Sequence, residues 1–314
     1  MQPLILILVL SLGASGTPPD SQRLEELYKK AKQWGVGELR EEVSKARREL
    51  ATYGDAALQF LFEKKVRTLN PLELRVFKVV VQRNRQKARP YLHRALESEN
   101  DTIRRVALWL IGEIKDSSAL PRLREMLHQP LRPRMRARVL AALGRVGDTT
   151  AAAWVAPGLQ DSSVFVRYAA AVALVRLHQP RWVPVYMALL QSTDFQLQRA
   201  GVRGLAREPA VALDSLEALW ARDPEALTAR EALALEQVLA ALDRPLPAPQ
   251  VRAWRARLIP LLDHPDPAVR HYVALSLNHL GGKSLPVLFS VHRDRETDPL
   301  VFHTLERLLE DLAQ

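Results

Sequence analysis

The strongest constraint on this chain is an internal repeat. Ile103-Arg104-x-x-Ala107-x-x-Leu110-Ile111-Gly112-x-Ile114-x-Asp116 returns 32 residues later as Met135-Arg136-x-x-Val139-x-x-Ala142-Leu143-Gly144-x-Val146-x-Asp148. A third copy follows after 31 residues, Val166-Arg167-x-x-Ala170-x-x-Ala173-Leu174-x-x-Leu177. A later one is Val269-Arg270-x-x-Val273-x-x-Ser276-Leu277-x-x-Leu280-Gly281-Gly282, and weaker copies begin at Leu74-Arg75 and Leu197-Gln198. Apolar residues in each copy recur at i, i+3, i+4 and i+7, which is one face of a helix. In the tightest copy Arg136, Val139, Ala142, Leu143 and Val146 share that face, while Arg138 and Arg145 point away.

A second helix is written after each first one. Asp116 and Asp148 stand where a cap is needed. Leu120-Pro121, Val183-Pro184 and Leu285-Pro286 then place proline in a first turn, where its missing N–H costs nothing. Asn70-Pro71, Asp266-Pro267 and Asp298-Pro299 carry the same signal at other helix starts. The 72 residues between Gln198 and Arg270 leave room for one longer, degenerate repeat. Residues 225–262 fill it with two helical patterns around the breaker Pro245-Leu246-Pro247-Ala248-Pro249. Gly281-Gly282-Lys283-Ser284 reads as an inter-helix turn, and Asn100-Asp101-Thr102 as a helix cap.

One helix pair of this size cannot bury both of its apolar faces, whereas stacked pairs share a continuous core. The expected fold is all-α, a right-handed α-solenoid of antiparallel helix pairs. A helical N-terminal cap is expected over 17–70, the repeat array over 71–298 and a closing helix over 299–314. Composition agrees: Gly numbers only 13 in 314 residues and aromatics are 6%, while the helix formers Ala, Leu and Arg dominate.

Residues 1–16 are expected to be a signal peptide. Leu4 to Leu10 is an unbroken apolar run, and Ala14-Ser15-Gly16 puts small side chains where a signal peptidase reads. The run falls short of the roughly 20 residues needed to span a bilayer. The n-region lacks Lys and Arg. The expectation is cleavage after about Gly16, a periplasmic or secreted location and no membrane span afterwards.

The repeats resemble HEAT repeats, of the short kind found in phycobilin-lyase-like proteins of bacteria, over roughly 71–298. The resemblance implies the solenoid fold and a concave face lined by second helices. It does not imply one function, because that superfamily spans scaffolds, adaptors, DNA glycosylases and a few lyases. It also implies that Arg104, Arg136, Arg167 and Arg270, one per repeat at the same phase, bond between neighbouring repeats.

Catalytic motifs are missing from the sequence. With no Cys, a thiolate nucleophile, a disulfide and a Cys-bound metal are excluded. The eight His lie in no His-Glu-x-x-His arrangement, and the chain lacks the His-Glu dipeptides by which one HEAT-related family binds two irons. Neither G-x-S-x-G nor G-x-x-x-x-G-K-[ST] occurs. No cofactor and no metal are expected, and the chain is read as a monomer.

The expected function is therefore a non-catalytic scaffold that holds a protein or peptide partner on the concave face. Second-helix residues Arg122, Glu125, Trp154, Arg181, Trp182 and Tyr186 are the candidate contacts, with Tyr186 four residues after Trp182 and so on the same helix face. Arg134 and Arg138 join them as one face of the densest basic cluster. Charge supports an anionic alternative: residues 101–210 carry 16 basic and 8 acidic side chains, whereas 211–314 carry 11 and 15. That region could take nucleic acid or another anionic polymer, although export argues against nucleic acid. A bilin-lyase-type enzyme is the remaining alternative and rests on the resemblance alone.

Overall fold

The computed structural model describes residues 21–220 and 227–313. The leader expected at 1–16 lies outside them. The described residues are an all-α repeat fold of two compact units that divide after Ala119, and no described helix is long and apolar enough to cross a membrane.

The first unit holds α1 (Ser21–Ala31), α2 (Leu39–Thr52), α3 (Asp55–Phe60), α4 (Pro71–Arg83), α5 (Arg85–Leu96) and α6 (Asp101–Ile114). The expected caps are present: Asn70 Oδ1 accepts from the Leu72 N–H at 2.9 Å, and Asn100 Oδ1 from those of Thr102 and Ile103. α2 packs on α4 and α3 on α5, so the unit runs without a break from the N-terminal helices into the array. After α6 the fully buried Asp116 carboxylate is held by Arg89 Nε at 3.1 Å, His93 Nε2 at 2.9 Å and the Ser118 hydroxyl at 2.6 Å. Such partners offset the cost of taking a polar group out of water.

In the second unit the helices are α7 (Leu120–His128), α8 (Pro133–Val146), α9 (Ala152–Val155), α10 (Val164–Leu177), α11 (Val183–Leu190), α12 (Phe195–Leu205), α13 (Pro209–Trp220), α14 (Ala229–Ala240), α15 (Ala248–Leu258), α16 (Pro267–Leu280), α17 (Leu285–Arg293) and α18 (Pro299–Ala313). α7, α11 and α17 begin at the apolar-proline steps named above, and α8, α16 and α18 begin on proline. The even-numbered helices from α8 to α18 form one row, each packed on the next. The odd-numbered helices form a second layer, α7 on α8, α11 on α12, α13 on α14 and α17 on α18.

The core follows the phase read from the sequence. Val139, Ala142, Leu143 and Val146 of α8 are buried, and Arg138 is exposed. Gly144 faces α10 so closely that a Cβ there would sit 2.6 Å from the Ala173 Cα. The second layer is less regular than the pattern suggested. Between α8 and α10 it breaks into a 3-10 turn at Thr149–Ala151, the single turn α9 and another 3-10 segment at Ala156–Gln160. Pro157 cannot donate to a helical ladder, which accounts for the break.

The recurrent arginines are structural. Arg136 donates from Nε to Asp161 at 2.8 Å and from Nη1 to the Leu131 carbonyl at 2.6 Å. Asp161 uses its other oxygen to accept from the Ser163 N–H, so one carboxylate ties α8 to the start of α10. Arg167 reaches back to the carbonyls of Asp161 and Ser162. Arg270 repeats the scheme, bonding the His264 carbonyl at 2.7 Å and clasping Glu296 with two bonds of 2.9 and 2.6 Å. Where Gln198 replaces Arg, its amide still reaches the Ser192 carbonyl. Arg104 departs from the scheme and pairs within its own helix with Asp101.

Candidate interaction surface

Helices α8, α10 and α12 contain eight arginines and not one carboxylate. Phase sorts those arginines. Arg136 and Arg167 turn into the loops between repeats, whereas Arg134, Arg138, Arg176, Arg199 and Arg203 are exposed. Arg134, Arg176, Arg199 and Arg203 form no ion pair among the described residues, and neither does Arg230 at the start of α14. The two α14 carboxylates are engaged elsewhere, Glu231 in a capping box with Thr228 and Glu236 with His279.

Large apolar side chains lie among these arginines. Phe165 is 60% exposed and Phe195 64%, and Val164 and Tyr168 are exposed beside them. The Arg134 guanidinium sits over the Phe165 ring at 5.9 Å, bridging α8 and α10, and Arg199 covers Phe195 at 5.7 Å. Two shallow depressions adjoin. One, about 130 Å³, lies between α10 and α12 over Tyr168, Val172 and Val175. The other, about 230 Å³, lies between α12 and α14 over Val202 and Leu233. Arg199 and Arg203, one turn apart on α12, line both. Exposed aromatic and aliphatic area rimmed by unpaired arginine is the composition of an interaction site.

The residues anticipated from sequence separate into two groups. Arg134 and Arg138 are on this surface. The second-layer residues are more occupied: Arg122 pairs with Glu125 at 2.7 Å, Trp154 is half-buried under Arg124 at 5.2 Å, and half-buried Trp182 carries Arg181 at 5.2 Å. Tyr186 is not a surface contact. It is fully buried, its hydroxyl donates to the Leu174 carbonyl at 3.0 Å, and burial pushes the phenol well above its ordinary pKa. The i,i+4 spacing from Trp182 failed because Trp182 closes a 3-10 turn, Pro180–Trp182, before α11 begins. In a turn of three residues that spacing does not select one face.

Phe165, Tyr168, Phe195, Arg199 and Arg203 were not singled out from the sequence. The available signal was α10 itself, whose sequence VFVRYAAAVALVRL has almost no polar face. A helix apolar on all sides is either buried on all sides or exposes apolar surface, and α10 does the second. Among the described residues no three His, Asp or Glu side chains are grouped to hold a metal ion.

A sequence profile described as HEAT repeats matches residues 72–144 and 130–206. No protein of curated function matches the chain. Similar solved structures include an engineered protein, 16% identical with a TM-score of 0.42, over 95% of this chain and 97% of that one. Another is the complex of CpcE and CpcF of phycocyanin lyase from Nostoc sp. PCC7120, 22% identical with a TM-score of 0.39, over 81% and 98%. A third is human deoxyhypusine hydroxylase in complex with glycerol, 18% identical with a TM-score of 0.32, over 83% and 96%.

Proposed function

We propose that this HEAT-repeat protein is an exported, non-catalytic scaffold that holds a protein partner on its second unit. The observation that carries the reading is the pair of exposed phenylalanines, Phe165 and Phe195, set among unpaired arginines on adjacent helices. Leaving such apolar area in water is unfavourable, and covering it with a partner recovers that free energy. Stacked repeats suit the task, because neighbouring helices present their side chains at fixed spacing along an extended surface. The leader expected at 1–16 places the partner in the periplasm or outside the cell.

The reading is tested by a photo-crosslinking amino acid placed at Phe165 in the full-length protein, expressed in a bacterial host with cell fractionation. The expected result is a discrete protein adduct of the leader-processed chain in the exported fraction. An unprocessed cytoplasmic chain whose adducts contain nucleic acid would overturn it in favour of the anionic-polymer reading. That alternative draws on the same arginines.

A further inference from the structure

Resting on that reading, we infer that the α8–α10–α12–α14 surface docks an acidic segment of a partner protein in which carboxylates alternate with aliphatic side chains. Charge is the first argument. Arg134, Arg176, Arg199, Arg203 and Arg230 have no carboxylate to pair with on their own chain among the described residues. Some arginines elsewhere in the second unit are met by carboxylates, as Arg257 is by Glu217 and Arg295 by Asp263. The guanidinium fork matches a carboxylate in two parallel hydrogen bonds. An acidic ligand would supply the carboxylates that α8, α10 and α12 do not carry.

The depressions supply the second argument. Their floors are aliphatic, Val172 and Val175 in one and Val202 and Leu233 in the other, and their shared wall is Arg199 and Arg203. Cavities of about 130 and 230 Å³ admit one or two aliphatic side chains each. A ligand that places an apolar group in each depression and an acidic group over the ridge between them satisfies both. A nucleic acid would meet the arginines with phosphates and leave the aliphatic lining of the two depressions unfilled. A bilayer would meet the exposed rings of Phe165 and Phe195 but would leave the aliphatic lining of the depressions between the helices unfilled.

Length follows from helix spacing. Packed helices lie about 8–10 Å apart, so four in a row span about 25–30 Å. An extended chain rises about 3.3 Å per residue, so about eight or nine residues cross the surface. In such a segment alternate side chains face the protein, and within that facing set carboxylates alternate with aliphatic groups.

The test is fluorescence anisotropy of the full-length protein with labelled synthetic peptides of about twelve residues, long enough to cross the surface. The first peptide holds Glu and Leu in alternating pairs. The second holds Glu and Ser, the third Lys and Leu. Oligo-dT and vesicles containing phosphatidylglycerol are the remaining probes. The Glu-Leu peptide is expected to bind at low salt, to bind more tightly than the other probes and to weaken as salt rises. Arg199→Glu with Arg203→Glu is expected to weaken it at least about tenfold, because like charges now face it. Phe195→Ser and Leu233→Ser are expected to weaken it by smaller factors, and Arg124→Glu on α7 to leave it unchanged. Circular dichroism melts check that each variant is folded, as exposed positions should allow. Overturning results are tighter binding of oligo-dT or vesicles, equal binding of the Glu-Ser peptide, no binding of Glu-Leu, or indifference to the Arg199/Arg203 change. If the photo-crosslinked partner is still captured by the Arg199→Glu/Arg203→Glu variant, the scaffold reading stands and this docking surface falls.

Discussion

Arg134 and Arg136 stand two residues apart on α8 and belong to two different regions. Arg136 lies in the seam between repeats, bonded to Asp161 and to the Leu131 carbonyl. Arg134 lies on the open face, stacked on Phe165 with no ion pair among the described residues. The seam is built alike at Arg270, where Glu296 takes the place of Asp161. The open face gathers Arg176, Arg199 and Arg203, one or two per helix. Two positions along a helix rotate a side chain by about 200°. One residue type therefore serves as mortar in one phase and as a free cation in the next. Net charge alone would count the two equally.

Seam and core should fail in stability, and the open face should fail only in binding. The largest expected loss is in the core. Leu143 is fully buried, so Leu143→Asp places an unpaired charge there and is expected to cost about 4 kcal/mol or to prevent folding. A urea melt measures it, and a near-wild-type midpoint would put the wrong face of α8 inside. Next comes the Arg270 clasp, whose two side chains are 14% and 7% exposed. Arg270→Ala should cost about 3 kcal/mol at neutral pH, because it strands Glu296. Its pH dependence has a definite sign. Hydrogen bonds from Arg270 are the largest cause holding the Glu296 carboxyl below its ordinary value of 4.5. As pH falls the unfolded chain takes up that proton first. The clasp therefore stabilises fully above about 4.5 and is lost as pH drops through the lower folded value. Melts of wild type and Arg270→Ala from pH 7 to pH 3 should converge at the acid end.

Much of the fold could be read because its signals are local. A proline in a first turn marks α7, α11 and α17 whatever packs on them, and a repeated Arg at fixed phase marks the seam. The surface was half legible. Arg134 and Arg138 stood out as a basic cluster on one helix face, which needs only helical geometry. Phe165 and Phe195 did not, because a phenylalanine among valines and alanines looks like core until the neighbouring helix is seen to leave it uncovered. Tyr186 failed in the opposite direction. Its exposure was inferred from a spacing that holds only if the backbone stays α-helical through Trp182, and it does not. Where exposure depends on the absence of a covering element, the sequence alone does not supply it.

The smallest expected effects separate the two regions most directly. Arg136→Ala should lower stability by about 1–2 kcal/mol, the worth of charge-assisted hydrogen bonds at a half-buried site. Arg134→Ala should lower it by no more than about 0.5 kcal/mol, as exposed changes usually do. Paired urea melts of these two variants are the measurement. The expected result is a clear midpoint shift for Arg136→Ala with none resolved for Arg134→Ala. Equal shifts, or a larger one for Arg134→Ala, would contradict the division of α8 into a seam and an open face.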